Sequence, residues 1–242
     1  MKIEAISDKK GKETLDIIGE ADNFNYWMFQ TIFPFTTGKT LEIGSGLGNI
    51  SNFFLKEGSE IMLTDFRSEY CSVLRQKFEM YPNLLGVDTI DLVHPNFDNE
   101  YKDYLNYFDS VFALNVIEHI ENDRLAIENC KKLLKQGGKL IILVPSYNNL
   151  YNKFDEELGH FRRYTKRSLS KLFIDNNLKI SHSRYFNLIG ITGWFFSGTI
   201  LKKDMIPASQ MKIYNKFVPL WKILDKLSLN LFGLSTIIIG RK

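Results

Sequence analysis

Thr40-Leu41-Glu42-Ile43-Gly44-Ser45-Gly46-Leu47-Gly48 is the stretch that decides the fold. A short strand runs into three glycines at alternate positions. A helix follows, with apolar residues at Ile50, Phe53, Phe54 and Leu55, and Gly58 stands where a helix-ending glycine belongs. The alternation then repeats downstream. Glu60–Thr64 reads as a second strand that runs into Asp65, and a helix around Tyr70–Phe78 breaks before Pro82. Asn83–Val87 reads as a third strand running into Asp88, and Phe108–Leu114 as a fourth. A helix over Asp123–Leu134 stops at Gln136-Gly137-Gly138, and Lys139–Val144 forms a fifth strand ending at Pro145. Thr165 caps a helix over Lys166–Asn176, and Lys179–Phe186 and Ser235–Ile239 read as the last two strands. Several strands are continuous apolar runs, which predicts a mostly parallel sheet covered by helices on both faces.

The chain has 242 residues, which predicts a single domain over 1–242. A helical segment, 1–37, precedes the sheet and offers Phe24, Tyr26, Trp27 and Phe29 for packing. Between the last two strands, residues 187–233 are rich in aromatic and apolar side chains and read as a helical cap over a pocket. The formal net charge of +3 is too small and too scattered for a dedicated nucleic-acid binder, so no nucleic acid is expected. The two cysteines, Cys71 and Cys130, show neither metal spacing nor a disulfide framework, and Met1-Lys2-Ile3-Glu4 lacks the apolar run of a signal peptide. The expected location is therefore cytoplasmic.

In open parallel sheets, ligands bind beyond the carboxyl ends of the strands. The glycine loop leaves the first strand there, and the helix after it presents free amides to an anionic group. The spacing is Gly-x-Gly-x-Gly, with Asn49 where the third glycine of a dinucleotide fingerprint would stand. Asp65, Asp88 and Asn115 occupy successive strand ends. Asp65 suits a ribose diol or a helix N-cap. Asp91 lies one turn after Asp88 and suits the same role, and Phe66 fits either a ligand face or the core.

On these residues the chain resembles class I S-adenosylmethionine-dependent methyltransferases. Within them it is similar to a bacterial group carrying Leu114-Asn115-Val116-Ile117-Glu118-His119-Ile120 after the fourth strand and Leu158-Gly159-His160-Phe161-Arg162-Arg163-Tyr164-Thr165 after the fifth. The ending, Phe232-Gly233-Leu234-Ser235 through Gly240-Arg241-Lys242, fits the same group, and the resemblance runs from about Asn25 onward. It implies a Rossmann-like α/β fold with a seven-stranded sheet whose last strand is antiparallel. It also implies S-adenosyl-L-methionine as cofactor. Gly44, Ser45 and Gly46, in the loop completed by Gly48, would face the methionine part. Glu42 would hold the amino group through water, and Asp65 would take both ribose hydroxyls. Phe66 would pack on the adenine, Asp88 would accept from its amino group, and Asn115 would line the methionine side.

Methyl transfer needs no protein nucleophile, only an aligned acceptor and, for a hydroxyl, a base. His119 and His160 follow strands four and five and are the catalytic candidates, since imidazole titrates near neutrality. Ubiquinone-pathway O-methyltransferases carry Glu-x-x-Glu-His and a later His as ligands of a divalent metal. Here Asn115 replaces the first Glu of the stretch ending in Glu118-His119, which weakens a hard-cation site, so no metal is assigned. Arg162 and Arg163 suit either an anionic group on the acceptor or local ion pairs. The expected acceptor is a small molecule, a glycan-related compound or a lipid-linked one. Residues 185–201 are uncharged and flanked by Lys202 and Lys203, which offers a peripheral contact with the inner face of a membrane.

Overall fold

The computed structural model describes residues 2–242, with side chains from Gly11 onward. Met1-Lys2-Ile3-Glu4, read above for the lack of a leader, lies outside the residues whose side chains are described. Two helices, α1 (Lys2–Gly19) and α2 (Asp22–Ile32), precede β1 (Thr40–Ile43). The chain continues through α3 (Ser51–Lys56), β2 (Ile61–Asp65), α4 (Ser68–Phe78), β3 (Leu84–Thr89) and α5 (Phe97–Glu100). Next come β4 (Phe108–Leu114), α6 (Asp123–Leu133), β5 (Leu134–Pro145), α7 (Lys153–Glu157) and α8 (Lys166–Asp175). After β6 (Lys179–Phe186) the cap contributes α9 (Leu188–Trp194), α10 (Ala208–Lys216) and α11 (Val218–Leu227) before β7 (Ser235–Arg241).

The seven strands form one sheet in the order β3-β2-β1-β4-β5-β7-β6. β1 to β5 pair in parallel, and β7 runs antiparallel to both of its neighbours. This is the Rossmann-like arrangement anticipated from the sequence. The period of two along each strand divides the core into two layers. Leu41, Met62, Val111, Ala113, Leu140, Ile142 and Ile238 point to one face, where α6 and α8 add Ile127, Leu133, Leu169 and Phe173. Ile61, Leu63, Phe112, Ile141, Leu143, Ile237 and Ile239 point to the other, against Trp27, Phe29 and Ile32 of α2, Phe54 of α3 and Phe78 of α4. Burial on both faces is why these strands read as unbroken apolar runs.

Several boundaries differ from the sequence reading, among them those of β3 and β5. β3 extends to Thr89, so Asp88 lies inside the strand, opposite Thr64 of β2, rather than beyond its end. β5 begins at Leu134, directly after α6, because Leu134 already pairs with Phe108; the stretch through Gly137-Gly138 bulges out before the ladder resumes at Lys139 and Ser110. The cap leaves and rejoins the sheet at one point: Phe186, the last residue of β6, pairs with Ser235, the first of β7. Its start is fixed by Asp225 of α11, whose buried carboxylate accepts from the Asn187 and Leu188 amides at 2.7 Å each. Asn187 in turn caps α9 through Gly190 N and accepts from the Tyr214 hydroxyl.

Gly48 has a packing role. Its φ of +76° lies in the left-handed region, and a methyl group there would come within 2.3 Å of the Phe78 ring. Gly48→Ala is expected to destabilise the protein by about 1–3 kcal/mol through strain and overpacking. Urea unfolding would show this as a lowered midpoint with unchanged slope; an unchanged midpoint would contradict it.

Candidate cofactor and acceptor site

A cavity of about 1130 Å³ opens at the carboxyl ends of β1, β2, β4 and β5. That exceeds the usual range for one small ligand, roughly 300–1000 Å³, and leaves room for two. Its floor is the glycine loop. Ser45 N donates to Thr64 O at 2.8 Å and extends the β1–β2 ladder by one bond. Asp65, at the end of β2, accepts from Gly46 N at 2.9 Å and from Arg67 N at 3.0 Å. Burial raises its pKa against the pull of those amides. Gly44 turns the chain with φ +73°, and a methyl group on it would strike Val116 at 2.4 Å. Glu42 lies beneath the loop, buried, with the Ser51 hydroxyl donating to it. Desolvation pushes its pKa up to about 7.

Of the residues expected to hold a cofactor, Glu42, Gly44, Ser45, Gly46, Asp65, Phe66 and Asn115 all line this cavity. Phe66 is 69% exposed at its edge, which sets aside the core reading. Asn115 has a left-handed φ of 54°, a conformation that asparagine tolerates better than most residues. Two expectations are corrected. Gly48 is turned away from the cavity, toward Phe78 and Leu74. The Asp88 carboxylate is taken by the Tyr104 hydroxyl at 2.7 Å and by Thr89 N at 2.8 Å, and it does not line the cavity. Asp91 does, together with Ile90, Leu92 and Val93. Its proximity to Asp88 was visible in the sequence; the two extra residues of β3 that move the strand end were not.

The loops after β4 and β5 supply the opposite wall. His119 opens onto the cavity, and its ring centroid lies 4.6 Å from that of His160. The protein packed around it, then His160 and Arg67, lower its pKa well below the usual imidazole range. His160 is held differently. Its Nδ1 lies 2.8 Å from Asp155 Oδ1, the atom that also receives Arg163 Nε at 2.8 Å. Burial pushes Asp155 up, but the His160 and Arg163 bonds outweigh it and keep the carboxyl below its ordinary range. A carboxylate only accepts, so His160 Nδ1 carries a proton, and in the neutral ring the lone pair lies on Nε2. Arg162 pairs with Asp123 at 2.9 Å, so both arginines make local ion pairs, one of the two alternatives read from the sequence.

Glu118 was missed as a buried acid. It is fully buried, and neither carboxylate oxygen has a hydrogen-bond partner. Desolvation raises its pKa to about 8. Ligand atoms of Glu118, His119 and His160 all lie within 4.8 Å of one another. The cap closes the cavity with Gly190, Gly193, Trp194, Ile206, Gln210, Met211 and Tyr214.

Residues 41–140 match the model of a family described as a methyltransferase domain. Among curated relatives, the ubiquinone biosynthesis O-methyltransferase of Erwinia tasmaniensis is 25% identical over 123 residues, which is 51% of this chain and 49% of that protein. A highly reducing polyketide synthase of Aspergillus nomiae is 32% identical over 117 residues, 43% of this chain and 4% of the synthase. The chain therefore spans about half of the first relative and a small fraction of the second. Among solved structures, phosphoethanolamine N-methyltransferase 2 of Haemonchus contortus, in complex with S-adenosyl-L-methionine, shares the fold. Its TM-score is 0.61 at 18% identity, over 91% of this chain and 52% of that one. The matched segment, less than half of the chain, carries the glycine loop, Asp65 and Glu118-His119.

The electrostatics of Glu118 set a pH dependence. Unfolded, it ionises near its ordinary value of 4.5; folded, it stays protonated to about pH 8. Between those values the unfolded chain binds fewer protons, so this group lowers stability as pH rises. Glu118→Gln mimics the protonated form and is expected to flatten the fall in Tm between pH 5 and pH 8. A slope equal to that of the wild type would sink the assignment.

Proposed function

We propose that the chain methylates a small hydroxyl- or amine-bearing acceptor, free or linked to a glycan or lipid, using S-adenosyl-L-methionine. The observation that carries this reading is the shared cavity, with the glycine loop and Asp65 on one wall and the His119–His160 pair on another. The cofactor side fits its ligand. Asp65 offers lone pairs to two ribose hydroxyls, and Phe66 offers an exposed ring to the adenine. Asp91 replaces Asp88 as acceptor for the adenine amino group. Glu42, an acid buried without a cation, suits the ammonium of the methionine part.

When bound, the cofactor supplies a methyl group already activated on a sulfonium sulfur. The protein aligns the acceptor with that group and excludes water. His160 Nε2 takes the proton released by an acceptor hydroxyl as the new bond to carbon forms. Asp155 holds the ring in the tautomer this requires and stabilises the imidazolium. His119, on the cavity wall beside His160, serves to orient the acceptor.

A second reading is favoured by Glu118. A buried carboxylate with two unpartnered oxygens beside two imidazoles, one of them backed by Asp155, is also the donor set of a divalent cation. Such a cation would hold the acceptor oxygen and lower the pKa of its hydroxyl.

The cofactor assignment predicts that S-adenosylhomocysteine binds and NAD does not, by calorimetry. Asp65→Ala is expected to weaken binding by about 1–3 kcal/mol; NAD binding in place of the thioether refutes the reading. For catalysis, His160→Ala should lower the methylation rate about a hundredfold or more, with S-adenosylhomocysteine affinity nearly unchanged. A chelator leaves the rate intact under the base reading and abolishes it under the metal reading. Full rates in both His119→Ala and His160→Ala eliminate both.

A further inference from the structure

The cap carries an outward face that the cavity does not use. Among the described residues, twelve of the nineteen exposed large apolar side chains lie between Phe195 and Phe232. On α11, Leu220, Ile223 and Leu227 are exposed at spacings of three and four, one helical stripe. The opposite stripe, Val218 and Asp225 with the half-buried Trp221, faces the protein. α11 thus carries large apolar side chains on both sides, and among the described residues only the inward side is covered. Phe196 and Ile200 continue the exposed apolar surface past α9, and Phe217 joins α10 to α11.

Charge accompanies this surface. The same stretch holds six lysines and two aspartates, with no arginine, glutamate or histidine. One aspartate, Asp225, is buried on the amides of Asn187 and Leu188. The chain as a whole carries only +3, so the positive excess sits in the cap and the remainder is close to neutral. Soluble proteins rarely leave a dense apolar surface uncovered. A surface that mixes exposed Phe, Leu and Ile with lysines matches the requirements of an anionic bilayer: apolar side chains enter the headgroup boundary while ammonium groups meet lipid phosphates. Among the described residues no helix is long and apolar enough to cross a membrane, which leaves a surface contact.

We infer that the α10–α11 side of the cap docks on an anionic lipid surface, and that the acceptor reaches the cavity from that surface as a lipid-linked molecule. The inference rests on the methyltransferase reading above. It also extends the expected membrane contact beyond 185–201 into the later part of the cap. α10 walls the cavity from inside with Met211 and Tyr214, so the docked stripe of α11 follows directly on the helix that lines the acceptor side.

The test is co-sedimentation of the full chain with vesicles of phosphatidylcholine alone or mixed with phosphatidylglycerol. The protein is expected to bind the mixed vesicles and not the neutral ones, with binding lost as salt rises. Ile223→Ser with Leu227→Ser, and separately Lys216→Glu with Lys226→Glu, should each lower vesicle affinity at least about tenfold. S-adenosylhomocysteine affinity, measured on the same preparations, should not change, which also reports that the variants fold. Equal binding to both vesicle types, or none, overturns the inference. So does a stable dimer in light scattering that the Ile223→Ser, Leu227→Ser variant dissociates, since a second copy then covers this face. Loss of vesicle binding with thioether binding intact removes only the docking; absence of thioether binding removes only the methyltransferase reading.

Discussion

Asp65 and Gly46 meet at the point where β1 and β2 end side by side, and the rest of the site is arranged around that contact. The carboxylate draws the Gly46 amide down at 2.9 Å, while Ser45 N takes one more bond from the β2 ladder. The turn is thereby held from the strand beside it rather than by its own sequence. Its glycines allow the path, with left-handed backbone at Gly44, Gly46 and Gly48, but they do not impose it. Once held, the loop sets where α3 begins and how deep the cavity floor lies. It also keeps the Asp65 carboxylate in place before any ligand arrives. Binding then has to remove water from that carboxylate but does not have to reorganise it.

The acidic groups of the cavity divide by how they are satisfied. Asp155 receives His160, Arg163 and the Asn152 amide, and it stays ionised despite burial. Glu118, a few ångströms from the same histidine, receives nothing and is pushed toward its neutral form. A buried acid left without partners costs stability, and such costs gather where a ligand later supplies the missing contact. The pair therefore separates structure from function within a single cluster. Asp155 holds His160 in place; Glu118 leaves two acceptor oxygens unfilled.

Much of this was legible in the sequence, because the signals are local. The Gly-x-Gly-x-Gly turn, the apolar strands and the Thr165 cap each depend on neighbours within a few residues. The cap residue does bond Ser168 N as expected. What the sequence concealed depends on pairing across the sheet. Asp88 looked like a strand end because the apolar run stops there; pairing with β2 carries β3 on to Thr89 and turns the Asp88 carboxylate to Tyr104. Gly48 looked like part of a ligand cradle, yet the ring that fills its space comes from Phe78, thirty residues away. Glu118 stood within a recognisable motif, but its lack of partners is a property of the packed loops alone.

The cap is large, yet the sheet meets it only as the closure of a hairpin. Phe186 and Ser235 are paired neighbours, so everything between them begins and ends at one rung of the β6–β7 ladder. The entropic cost of closing such a loop grows only logarithmically with its length. Residues can be added, lost or exchanged there without altering strand order, register or the cofactor floor. The wall proposed to touch the acceptor is therefore the part of the molecule most free to vary, and the wall expected to touch the cofactor the least. On such a scaffold, a lineage can change what it modifies while keeping how it modifies it.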